Sequence, residues 1–248
     1  MVALHYQAID TSGSVATRTI TSTGCPNHYS ICTGKAGLTG CGGIGEEGTA
    51  SEAKDQSKAY VIPANPVIAS ATTSVACDVG AIGIALNGVS LYSGAVDASC
   101  NLLDTTDDTS EWTAFDMCSG HSEMTGDYHY HFPPSCLIAQ AEATNPTASG
   151  HSPQIGWAQD GFPIYGPLYT GGVVISQDNL DDCSGNEEEL PAIDNFKYRY
   201  YFTGDTSNLR ALPSHPKPAE AGTSRCLLGT FLLWMHRPMH LHCAVHFT

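Results

Sequence analysis

The sequence is poor in charged residues, and lysine and arginine are the scarcer kind. Charged side chains make up 14% of its 248 residues, with 10 basic residues against 25 acidic ones and a formal net charge of −15. An average soluble protein has about 25% charged residues. Binding to nucleic acid or to an anionic membrane surface needs clustered lysine and arginine. The composition therefore argues against both partners.

Several common segments and motifs are also missing. No apolar run approaches the roughly 20 residues of a membrane-spanning helix, so we expect no membrane insertion. The first residues lack the basic start and apolar stretch of a signal peptide, so an exported protein would be numbered after processing. The nucleophile elbow GxSxG, the P-loop and the HExxH helix are absent. No catalytic residue is assigned, and the question of enzymatic activity stays open.

The composition favours β-structure connected by many turns. The chain has 25 glycines and 14 prolines, and no long stretch repeats its apolar residues with the period of a helix. We predict a single all-β domain over residues 1–248, an antiparallel sandwich or barrel-like fold that is rich in loops. The clearest hairpin covers residues 80–92, with a type I′ turn at Asn87-Gly88. A short helix is expected at 138–143.

The ten cysteines predict disulfide bonds. Their number is even and none forms a CxxC pair, so thiolate metal sites are not expected. Disulfides persist in oxidising compartments, which favours an extracellular or cell-surface protein. Cys77 and Cys100 flank the predicted hairpin and are candidates to pair across its base.

Residues 118–136, CSGHSEMTGDYHYHFPPSC, contain the strongest functional signal. The YHYH run lies between glycine and proline turns, so it predicts a short strand. Side chains alternate along a strand, and His129 and His131 should therefore leave the same face. His121, behind a Ser-Gly turn, is the candidate third ligand. Imidazole ligands suit copper or zinc, and the alternative is an exposed aromatic hairpin held by a disulfide.

Other residues are weaker candidates for the same site. His28 follows a Cys-Pro-Asn turn, His151 precedes a strand, and Asp160 lies in an Asp-Gly turn where it can also bond its own backbone. The C-terminal segment 226–248 carries four more histidines, which indicate either a second metal site or a final strand with surface histidines: His236, His240, His242 and His246.

An internal echo relates two segments, about 112–137 and 177–228. FDMCSGH at 115–121 corresponds to LDDCSGN at 180–186, and YHYHF at 128–132 corresponds to YRYYF at 198–202. The cysteines and tyrosines recur, whereas the three histidines are replaced in the second copy. We interpret the recurring residues as structural, and the histidines as residues that one copy can lack and still fold. The echo proposes the disulfides Cys118–Cys136 and Cys183–Cys226 by analogy.

Taken in order, the motifs resemble the YHYH domain family of secreted or surface proteins. The matching elements are CPNH around His28, PANPV at 63–67, ALNGV at 85–89, CSGH with YHYHFPPSCL, and GHSPQIGWAQDGFPIYGP at 150–167. The resemblance runs from about residue 20 to 230. It implies an extracellular β-rich fold with conspicuous histidines, and it supplies no established reaction.

Two classes of function are consistent with these patterns. The first is a secreted protein that binds copper or zinc through His121, His129 and His131, with His28, His151 and Asp160 as further candidates. Asp116, Asp127 and Asp160 are candidates to hold the second nitrogen of a ligand. The second is a structural or adhesive module that self-associates or joins an extracellular matrix. Carbohydrate binding through Trp157, Tyr165 and Tyr130 is a weaker third possibility.

Overall fold

The computed structural model describes residues 5–28, 53–70, 80–93, 99, 115–116, 118–123, 125–187, 190 and 193–203. Within them the regular secondary structure is mostly strand, as predicted, with one α-helix and a short 3-10 helix at Gln177–Asn179. The elements are β1 (His5–Asp10), β2 (Thr17–Ser22), β3 (Lys58–Pro63), β4 (Ala81–Ala85), β5 (Ser90–Tyr92), β6 (Gly120–Ser122), β7 (Tyr128–Tyr130), α1 (Ser135–Thr144), β8 (Gln154–Ala158), β9 (Pro163–Tyr165), β10 (Leu168–Tyr169), β11 (Val173–Val174), β12 (Gly185–Glu187) and β13 (Tyr198–Tyr201).

The main sheet has eight strands in the order β12-β13-β9-β8-β4-β5-β7-β6. Most neighbouring strands run antiparallel, but β5 pairs with β7 and β9 pairs with β13 in parallel. The sheet is therefore mixed rather than purely antiparallel. A second sheet, β1-β2-β3, is antiparallel, and β10 and β11 form a separate short hairpin.

The two faces of the main sheet are covered differently. One face carries the larger core, in which the tyrosines of β7 and β13 pack with Leu137 and Ile138 of α1. The other face packs Ile84 and Trp157 against Ile20 and Ile62 of the three-stranded sheet. Burial of these apolar side chains is the main force that joins the two sheets. The second face is the one from which the histidines of β7 project.

Several local predictions are confirmed. A helix covers the predicted 138–143, and the hairpin 80–92 forms as β4 and β5. The predicted turn type is wrong, because Gly88 has a positive φ of 83° whereas Asn87 does not. A type I′ turn needs a positive φ at both residues. Instead the Asn87 side chain accepts a hydrogen bond from the Val89 amide and donates one to Tyr130, which holds the turn in another form.

The disulfide Cys118–Cys136 is present and joins the loop before β6 to the first turn of α1. Cys183 is also disulfide-bonded. Its predicted partner Cys226, the predicted pair Cys77–Cys100 and the four C-terminal histidines lie outside the described residues. The internal repeat as a whole stays a prediction. No helix within the described residues is both long enough and apolar enough to cross a lipid bilayer.

Candidate metal centre

Two short strands bring the three central histidines together. In the antiparallel pair β6 and β7, His121 lies directly opposite His129. His131 follows two residues after His129, so its side chain leaves the same face. The residue before His121 is a glycine, Gly120. A Cβ atom at this position would lie 2.6 Å from the Tyr128 hydroxyl oxygen, so a larger residue does not fit. The close packing of Tyr128 against Gly120 thus fixes the strand register that aligns the imidazoles.

The imidazole rings converge through their Nε2 atoms. The Nε2 of His129 is 3.0 Å from the Nε2 of His121 and 3.0 Å from the Nε2 of His131. The three ligand atoms all lie within 4.8 Å of one another, and among the described residues this is the group that can hold a metal ion. Ligand nitrogens at about 2.0–2.1 Å from one ion in a tetrahedral site are about 3.3 Å apart.

Main-chain oxygens orient two of the rings from behind. The Nδ1 of His129 lies 3.1 Å from the carbonyl oxygen of Asp127, and the Nδ1 of His131 lies 2.9 Å from that of Ser93. A carbonyl oxygen only accepts, so each Nδ1 carries a proton, and in the neutral imidazole the Nε2 then presents a lone pair. This is the arrangement by which metal-binding histidines are held. The carboxylates predicted for this role do not fill it.

The site is enclosed, and its walls are aromatic. The three histidines are at most 4% exposed. Tyr92 stacks on His129 with ring centroids 4.0 Å apart, and Phe115 stacks on His131 at 5.5 Å. Burial, with the neighbouring imidazoles, lowers the pKa of His129 well below its usual value. The ring is therefore neutral at pH 7, which is the form that binds a metal.

The donor set fits a transition-metal ion. In the neutral form of both rings, the Nε2 atoms of His129 and His131 face each other across 3.0 Å as two lone pairs that repel. A cation between them removes that repulsion. Three nitrogen ligands leave a tetrahedral ion one further position. The cluster can therefore hold an ion, and such an ion would supply Lewis-acid or electron-transfer chemistry.

Three sequence candidates lie elsewhere. His28 contacts the opposite, tyrosine-bearing face of β7, where its Nε2 is 2.8 Å from the Tyr130 hydroxyl. The Nε2 of His151 is 3.0 Å from the Tyr201 hydroxyl, and its Nδ1 is 2.6 Å from the Ser152 carbonyl oxygen. Asp160 accepts hydrogen bonds from Tyr200 and from the Phe162 amide. These partners keep all three side chains out of the histidine cluster.

Sequence reasoning missed the residues that enclose the site. Tyr92 comes from the predicted hairpin 80–92 and Phe115 from the segment before Cys118, and neither is among the residues predicted for the site. Ser93, which accepts from His131, also ends that hairpin. The sequence shows that Ser90 and Tyr92 lie on the same face of β5. It does not show that this face adjoins the histidines, because that depends on the parallel pairing of β5 with β7.

Fold and site together define a β-sheet protein with a buried three-histidine cluster that can hold a metal ion. Residues 59–172 match the family model described as YHYH protein. The match confirms the predicted resemblance over that segment, which contains all three histidines and Tyr92. No curated protein and no solved structure matches the chain.

Proposed function

We propose that this chain is a secreted or cell-surface protein whose His121, His129 and His131 bind one copper or zinc ion. The observation that carries the proposal is the contact between the Nε2 atoms of His129 and His131, 3.0 Å apart with both Nδ1 atoms held by main-chain oxygens.

Burial adds to this argument. Imidazoles that meet nitrogen to nitrogen in a closed site have lost their hydration, which costs stability. A bound ion offsets this loss of stability, because an ion that binds only the native state stabilises the native state. The arrangement is thus understandable as a preorganised ligand set rather than as a packing solution.

The extracellular location rests on the cysteines. Cys118 and Cys136 form a disulfide and Cys183 is disulfide-bonded, as in proteins of oxidising compartments. An acidic chain with a net charge of −15 also attracts cations to its surface. Both features support a protein that meets its metal outside the cytoplasm.

The test is metal analysis of the full-length protein purified without a histidine tag. Purified protein, or protein reconstituted with Zn²⁺, Cu²⁺ or, under argon, Cu⁺, should hold one equivalent that the His129→Gln/His131→Gln variant lacks. At a free metal concentration of about 100 times Kd, binding should stabilise the wild-type fold by about 2.7 kcal/mol. The measurements are elemental analysis and thermal unfolding.

His28→Gln is the matched control, since His28 lies on the other face of β7 and should leave metal content unchanged. Circular dichroism must show that each variant is folded. Wild-type protein that stays metal-free with all three ions contradicts the proposal, as does a folded double variant that keeps the full equivalent.

The structural or adhesive module stays the second candidate, supported by exposed apolar side chains. Val61 of β3 is 62% exposed, and Val67, beyond the same strand, is 80% exposed. Exposed apolar residues at a sheet edge favour association between chains. Sedimentation of wild type and Val61→Thr tests this candidate, because a self-associating module should lose mass in the variant and a monomeric metal protein should not change.

A further inference from the structure

We propose that the three-histidine cluster selects a monovalent ion, copper(I), over divalent zinc or copper(II). The inference rests on the metal site proposed above and names the ion that suits it. It follows from three features of the cluster: its ligands carry no charge, the Asp127 carboxylate beside it is paired with Lys58, and its walls are aromatic.

The ligands themselves are neutral. Among the described residues, the metal-ligating group consists of three imidazoles without a carboxylate or a thiolate. A divalent ion in this set would leave two positive charges in a buried site, and a monovalent ion would leave one. The cost of burying a charge in a low-dielectric medium grows as the square of the charge, so it is about four times larger for the divalent ion.

The nearest carboxylates are already engaged. Asp127 forms a salt bridge of 2.5 Å with Lys58. Lys58 also donates a 2.6 Å hydrogen bond to the hydroxyl of Ser90, the cross-strand neighbour of His129. The positive charge of Lys58 thus acts on His129 and offsets the carboxylate of Asp127.

Asp116 points to the other side of the sheet. Its carboxylate accepts a 2.7 Å hydrogen bond from the hydroxyl of Tyr128 and a 2.8 Å hydrogen bond from the Cys118 amide. The carboxylates of Asp116 and Asp127 therefore already have partners of their own, which penalises Zn²⁺ and Cu²⁺ more than Cu⁺.

The walls disfavour a fourth ligand. Phe115 lies edge-on to His121 at 4.7 Å and stacks on His131, while Tyr92 covers the face of His129. Zinc in proteins is almost always four-coordinate and completes a three-histidine set with water. Copper(I) is satisfied by two or three nitrogen ligands. An aromatic enclosure around three imidazoles matches the ion that needs no water.

The experiment compares ions of different charge on the full-length protein under argon. Cu⁺ is titrated against a coloured Cu⁺ chelator, Zn²⁺ against a coloured Zn²⁺ chelator, and Ag⁺ serves as a monovalent ion without redox chemistry. We expect Cu⁺ to bind at least about a hundredfold more tightly than Zn²⁺. Ag⁺ should compete with Cu⁺ for the same equivalent, and X-ray absorption of the copper protein should show three nitrogen neighbours.

Lys58→Met sharpens the test because it changes charge and leaves the ligands intact. Removing the ammonium leaves the Asp127 carboxylate beside the site, so affinity for Zn²⁺ should rise about tenfold and affinity for Cu⁺ should rise less. A purely structural role for Lys58 would not change the preference between ions. Subtracting the metal bound by the His129→Gln/His131→Gln variant corrects for ions held by cysteines or other residues.

The outcomes separate the two proposals. Zn²⁺ that binds as tightly as Cu⁺, and is lost in the histidine variant, overturns the copper(I) inference and keeps the metal site. Binding of every ion that is unaffected by the histidine variant overturns the metal site itself. A fourth light-atom neighbour in the X-ray absorption spectrum, or a Zn²⁺ affinity that Lys58→Met does not raise, also contradicts the selection of copper(I).

Discussion

The main sheet contains two arms that share an architecture and differ in their polar side chains. The first arm is β4-β5-β7-β6 and the second is β8-β9-β13-β12, and they meet where β4 pairs with β8. Each arm has an antiparallel hairpin, then a parallel strand, then an antiparallel edge strand. The difference between them separates what holds the fold from what forms the site.

One aspartate organises the same loop in each arm. In the first arm Asp116 accepts hydrogen bonds from the amides of Cys118 and Gly120 and from the Tyr128 hydroxyl. In the second arm Asp181 accepts from Cys183, Gly185 and Tyr198 in the same way. The serines between cysteine and glycine, Ser119 and Ser184, both have positive φ. These contacts involve only residues that both sequences keep.

The opposite face of the arms has diverged. The positions that correspond in the sequence echo to the three histidines are Asn186, Arg199 and Tyr201. Arg199 is fully buried and forms a 2.6 Å salt bridge with Asp194, and Tyr201 contacts His151. The second arm therefore pairs its buried arginine with a carboxylate, whereas the first arm brings imidazole nitrogens together. The second arm thus has the same strand arrangement without the histidines.

The largest expected effect comes from breaking the internal pairing of the second arm. Arg199→Ala should lower the free energy of unfolding by about 3 kcal/mol, the lower end for a buried pair because Asp194 is 14% exposed. In metal-free protein, His129→Ala should cost less than Arg199→Ala, since it removes an uncharged ring and leaves no buried ionic group without its partner. Urea unfolding under chelation measures both.

Lys197→Ala is the control for Arg199→Ala, because Lys197 is an exposed neighbour on the same segment. It should change the free energy of unfolding by less than about 0.5 kcal/mol. If Arg199→Ala and His129→Ala cost the same amount in metal-free protein, the two arms do not differ in how they satisfy their buried polar groups.

The sequence predicted much of the first arm because its signals are local. Alternation in YHYH placed His129 and His131 on one face, and the cysteines at 118 and 136 predicted the disulfide. Local patterns could not place His151, because its partner Tyr201 is 50 residues away. His28 was equally beyond reach, since the Tyr130 hydroxyl that holds it is 102 residues along the chain. Long-range pairing decided which candidates join the site.

An intermediate effect should be shared by both arms. Tyr128→Phe and Tyr198→Phe each remove a hydroxyl that donates to a carboxylate, at 2.7 Å and 2.8 Å. Hydrogen bonds to charged groups contribute about 1.5–3 kcal/mol, so each variant should lose that much stability. The Tyr198 variant should lie near the lower value, because its partner Asp181 is exposed whereas Asp116 is buried.

Chemical denaturation of the two single variants and of the double variant measures the comparison. Because the sites are in different arms, the two losses should add within about 0.5 kcal/mol. A loss in one arm with none in the other would show that the matching hydrogen bonds do not have matching roles.

The smallest effect concerns the hairpin turns, where Asn87 of the first arm corresponds to Asp160 of the second. Asn87 accepts from the Val89 amide and donates to Tyr130, and Asp160 accepts from the Phe162 amide and from Tyr200. Burial raises the pKa of Asp160 to about 6, above its ordinary 3.8. The folded state therefore binds a proton that the unfolded state releases, and this contribution to stability is complete below pH 3.8 and is lost as the pH rises through about 6.

Asp160→Asn should remove that dependence, because the amide does not titrate and can make the bonds that Asn87 makes. Between about pH 5 and pH 7, the unfolding free energy of wild type relative to the variant should fall by about 1 kcal/mol. Parallel urea titrations across this range measure the difference, and Asp178→Asn, at an exposed carboxylate outside the sheet, is the control. If the difference in unfolding free energy between wild type and Asp160→Asn stays constant with pH, burial does not perturb the pKa of Asp160. The two turns then differ in sequence without differing in their response to pH.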